Sequence, residues 1–106
     1  MAAKLSFMSD TIDLPPVLDL IAAPGLLESF LQRRGNRLFI EAGLVQRLGA
    51  QCLQILLAAR AAWAEDGKGL QFRDTSENFV ASLELLGTSI SKLTYHAQGA
   101  SGESNQ

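Results

Sequence analysis

The stretch Leu38-Phe39-Ile40-Glu41-Ala42-Gly43-Leu44-Val45-Gln46-Arg47-Leu48-Gly49-Ala50-Gln51-Cys52-Leu53-Gln54-Ile55-Leu56-Leu57 decides the fold. It reads as a strand, a loop and the start of a buried helix. The apolar run at 38–40, bounded by polar residues, is what a strand covered on both faces looks like. From residue 49 to residue 65 apolar residues recur at helical spacing. Projected at about 100 degrees per residue, Cys52, Leu56, Ala59 and Trp63 fall on one arc that packs on the sheet. Gln54, Ala61 and Glu65 fall on the far side, and Ala50, Leu53 and Leu57 on the flank between. Backbone N–H groups at a helix start are unpaired and carry partial positive charge, so the loop feeding them suits an anion, a phosphorylated hydroxyl or a partner's side chain. Gly49, Ala50 and Gln51 occupy that loop, and none of the three carries a hydroxyl.

Working outward, residues 4–20 read as short edge strands interrupted by a turn at Pro15-Pro16, because proline donates no ladder hydrogen bond. Ala22-Ala23-Pro24-Gly25 opens a helix with Pro24 in its first turn; Leu27, Phe30 and Leu31 recur along it, and Gly35 stops it. On the other side Gly67 and Gly69 end the long helix and Leu70-Gln71-Phe72-Arg73 forms a strand. Thr75 or Ser76 then caps a third helix with Phe79, Val80, Leu83 and Leu86 inward, closed by Gly87. Helices between strands too close for hairpins imply an α/β (mixed α+β) fold, a mixed sheet of about four to five strands with helices packed on it. Residues 1–93 are read as one domain. Residues 94–106 have almost no apolar content, so a disordered tail is expected there.

At 106 residues the chain fits a single core. With 47% hydrophobic and 19% charged residues and a net charge of −2, it carries no electrostatic footprint for nucleic acid. Arg33, Arg34, Arg37 and Arg47 cluster only loosely, as on a solvated face. A single cysteine, Cys52, excludes an internal disulfide and points to a reducing, cytoplasmic setting, where on the buried arc it acts as a small hydrophobe. The first ten residues hold too short an apolar run for a signal peptide. The longest apolar segment, 52–64, is interrupted by Gln54 and Arg60 and is too short to insert in a bilayer. No catalytic, metal or cofactor constellation emerges. His96 is the lone histidine without a ligand cluster, and Gly25, Gly35, Gly43, Gly67 and Gly69 lack phosphate-loop spacing. Asp74-Thr75-Ser76-Glu77 offers either a secondary phosphorylation site or a helix cap, and capping needs no further assumption.

In this order the residues resemble the STAS domain, the family of sulfate-transporter domains and anti-sigma factor antagonists, over roughly residues 12–90. Four stretches carry the resemblance: Val17-Leu18-Asp19-Leu20 before the first helix, Leu38-Phe39-Ile40-Glu41, the loop and helix from Leu48 to Leu57, and Gly69-Leu70-Gln71-Phe72 leading to Leu85-Leu86-Gly87. In STAS antagonists the loop before the second helix reads Asp-Ser-Ser-Gly-Leu or Asp-Thr-Ala-Gly-Leu, and a partner kinase phosphorylates its first hydroxyl. Those positions fall here on Gly49, Ala50, Gln51, Cys52 and Leu53, so the acidic residue and the hydroxyl are both missing. A phosphate would add about −1.5 to −2 charge, and without the hydroxyl that switch is absent.

The resemblance implies a small stand-alone bacterial signalling module, in some cases accompanying chemotaxis components, that binds a regulatory, kinase-like protein without cofactor or enzymatic activity. Its docking residues are expected to be Arg47, Gly49, Ala50, Gln51, Leu53 and Leu57, and replacing Leu53 or Leu57 by Asp is expected to abolish docking with the fold intact. A second expectation is an accessory subunit of a lipid or transport ATPase assembly. Homodimerisation has two available surfaces, the edge near Pro15-Pro16 and the Leu53 flank.

Overall fold

The computed structural model describes residues 10–97. Its elements follow in the order β1 (Asp10–Asp13), β2 (Val17–Leu18), α1 (Ala23–Leu31), β3 (Leu38–Glu41), β4 (Arg47–Leu48), α2 (Ala50–Asp66), β5 (Leu70–Arg73), α3 (Glu77–Leu85) and α4 (Ile90–Leu93). Each long connection between main strands contains a helix, which is what parallel neighbours require. The main sheet accordingly runs β1-β3-β5, all parallel, with Ile12 opposite Ile40 and Ile40 opposite Phe72. A second, two-stranded parallel ladder joins β2 to β4, with Leu18 opposite Leu48. The α/β class agrees with the sequence reading, and so do the strands at 10–13, 17–18, 38–41 and 70–73, whereas β4 falls in the stretch read as loop. The antiparallel contribution among the described residues is a bridge between Leu70 and Tyr95.

Strand alternation sorts the main sheet into two faces. Ile12, Leu38, Ile40 and Leu70 are buried in the core with the helices. Phe39 and Glu41 point the other way and are only half-buried, so β3 is not covered by helices on both faces as its apolar run suggested. Side chains close that outer face instead. The Arg73 guanidinium lies 4.4 Å over the Phe39 ring and 2.7 Å from the Glu41 carboxylate, with Arg37 5.5 Å from the same ring.

The helices correct the sequence reading at single residues. In α1 the inward residues are Leu26 and Phe30, whereas Leu27 and Leu31 are 45% and 57% exposed. A 3.6-residue period fits either pair, one step of rotation apart. The edge-to-face contact of Phe30 on Trp63, 5.8 Å between centroids, accompanies the observed rotation. Trp63 is buried at the end of α2 and donates its indole N–H to the Asn36 carbonyl at 2.7 Å. In α2 the arc of Cys52, Leu56, Ala59 and Trp63 is buried as read, and Gln54, Ala61 and Glu65 are exposed. Gly67 ends the helix in the left-handed region at φ 70°.

Ser76 is the cap of α3, and Phe79 and Leu83 are fully buried. Leu86 is 39% exposed, because α3 stops at Leu85 and turns through Gly87 at φ 87° before a further turn of inward residues can form. The short α4, not read from the sequence, buries Leu93. The chain remains docked beyond it: Tyr95 N–H donates to Leu70 O at 2.9 Å and Leu70 N–H to Tyr95 O at 2.8 Å. The remainder of the expected tail, 98–106, and the start of the first expected edge strand, 4–9, lie outside the described residues.

Candidate functional site

The loop that enters α2 is held by the minor ladder. Gln46 and Arg47 both donate their N–H groups to the Pro16 carbonyl, at 2.7 and 3.1 Å, and Gly49 N–H donates to Leu18 O at 2.8 Å. The Gly49 carbonyl then accepts from Leu53 N–H at 3.1 Å and begins the helix. Gly49 is the N-cap, with extended backbone at φ −94° and ψ 168°, and no side chain caps this helix. Arg47, Gly49, Ala50 and Gln51 are all exposed around that uncapped start. The result is an accessible helix terminus, tied to the minor ladder, whose own sequence supplies no anion.

Five of the six residues expected to form the docking surface are on the outside, Leu57 being 41% exposed. Leu53 is not: at 7% exposure it belongs to the core cluster. It lies one helical turn before Leu57, but its position nearer the buried arc brings it against the core, so an Asp there perturbs folding before it perturbs docking. Of the surface expected from the sequence, Arg47, Gly49, Ala50, Gln51 and Leu57 are thus the residues left exposed.

Sequence reasoning missed Leu20 and Ile21, which are 68% and 87% exposed. The Cys52 thiol donates to the Asp19 carbonyl at 3.3 Å, and Asp19 Oδ1 accepts from Ala22 N–H at 3.0 Å. These bonds fasten the 19–22 turn to the first turn of α2 and bring two bare apolar side chains into its vicinity. The only signal in the sequence was an apolar pair following Asp19, in a stretch that reads as strand. Burial, reinforced by the Asp19 charge, pushes the Cys52 thiol up, away from the reactive thiolate form.

The second loop pair is equally fixed. Ser76 Oγ donates to Val45 O at 2.6 Å and accepts from Phe79 N–H at 3.0 Å, so its hydroxyl is fully engaged as a cap and a tie. Gly43 lies so close to Asp74 that an added Cβ would stand 2.9 Å from the Asp74 carbonyl. The arginines read as a loose cluster are dispersed: Arg34 pairs with Asp66 at 2.8 Å, Arg37 lies with Arg73 over Phe39, and Arg47 is at the α2 entrance. His96 is exposed, 3.2 Å from Gln71 through its ring nitrogen. Among the described residues no group of histidine, cysteine or carboxylate side chains could hold a metal, and no helix is long and apolar enough to cross a membrane.

Compared with known proteins, residues 1–94 match a family model described as "Mlab, STAS domain". No curated protein and no solved structure matches the chain.

Proposed function

The chain belongs to the STAS domain family, whose members are generally non-enzymatic binding or regulatory modules, and from that premise we propose that it is a bacterial signalling module that docks a regulatory protein at the start of α2 without a phosphorylation switch. One observation carries this reading: an exposed, rigidly held helix start whose positions 49–51 are Gly, Ala and Gln and which no side chain caps. A partner group, carboxylate or amide, can complete the unpaired N–H groups there. Arg47 stands beside them, and Leu57 supplies an apolar flank further along the helix. With no hydroxyl to modify, binding is governed by partner concentration and affinity. A regulatory kinase-like protein, including one of a chemotaxis pathway, is the first partner class, and the cytoplasm is the compartment.

A second reading, an accessory subunit of a lipid or transport ATPase assembly, is favoured by the number of bare apolar side chains on the helical side, Leu20, Ile21, Leu27, Leu31 and Leu57. A permanently bound subunit keeps such surface covered. Co-purification of the intact chain from its native cell, followed by mass spectrometry, tests both readings. Leu57→Asp and Gln51→Lys are expected to lose the partner while remaining folded. Recovery of a signalling regulator supports the first reading, and of an ATPase assembly the second. Undiminished recovery with both variants refutes the assignment of the surface.

A further inference from the structure

We draw no further inference here: the strongest candidate, the apolar trough between α1 and α2 lined by Leu27, Leu31, Ile55 and Ala58, carries none, because nothing in the structure shows what covers it.

Discussion

Leu53 and Leu57 are one turn apart on the same flank, and substituting each by Asp separates folding from docking. Leu53 is 7% exposed. Truncating such a side chain costs about 2–5 kcal/mol, and leaving a polar group without a partner in its place adds roughly 1–3 kcal/mol. The total, about 3–8 kcal/mol, is comparable to the roughly 5–15 kcal/mol that holds a small domain together. Leu57 is 41% exposed, so only the remaining part of its side chain leaves the apolar environment. That loss is about 1–2 kcal/mol, with about 0.5 kcal/mol more for the weaker helix propensity of Asp. At about 4–8 °C per kcal/mol for a domain of this size, Leu57→Asp retains a cooperative transition lowered by roughly 5–20 °C. Leu53→Asp is expected to melt at least twice as far below the parent or not to fold. Circular dichroism at 222 nm with urea titration at 25 °C reads both. Equal losses for the two variants, or a Leu53→Asp loss below about 1 kcal/mol, would refute the placement of Leu53 in the core.

Ser76→Ala removes a cap and the tie to Val45 together, and is expected to lower unfolding free energy by about 1–3 kcal/mol, against less than about 0.5 kcal/mol for Thr75→Ala; urea midpoints compare them. Gly43→Ala drives a Cβ to 2.9 Å from the Asp74 carbonyl and should cost about 1–3 kcal/mol, whereas Gly49→Asp gives α2 the side-chain cap it lacks and should gain a few tenths of a kcal/mol. The Arg34 guanidinium holds the Asp66 carboxyl below its ordinary value of 3.8. Its folded value is thus lower than its unfolded one, so the contribution is present above the ordinary carboxylate range and lost as pH falls through the folded value. Asp66→Asn is accordingly expected to be less stable than the parent at pH 7 and to converge with it in strong acid, as thermal melts across pH will tell. Cys52, buried and with its thiol pushed up, should react with a maleimide only on the timescale of unfolding; rapid labelling of the native chain would contradict its burial.

The sequence was legible where one period or one special residue decided the matter. Gly67 and Gly87, both at positive φ, mark helix ends that any reading of the chain places correctly. The interruption at Pro15-Pro16 separates β1 from β2 for the reason proline always gives, and the arc of α2 follows from rotation alone. Legibility failed where two rotations fit equally: Phe30 is inward as read, but Leu26 rather than Leu27 and Leu31 accompanies it, because tertiary contact with Trp63 rather than local pattern selects the rotation. It failed at β4 as well: two residues, Arg47 and Leu48, carry no period, and their pairing with Val17 and Leu18 depends on a ladder between segments thirty residues apart.

The candidate site was half legible for a related reason. An alanine-rich helix gives weak contrast between its faces, since alanine is at home both inside and outside. In α2, Ala59 is buried while Ala50, Ala58 and Ala61 are exposed, so the sequence can orient the helix by Cys52, Leu56 and Trp63 but cannot say how far each flank is covered. Coverage is set by the neighbours. The α1 helix stands off enough to leave a trough beside Ile55 and Ala58, whereas at Leu53 the core closes over the side chain. Two apolar positions that look equivalent on a helical projection thus differ in what a partner can reach, and the difference lies in residues far away in the chain.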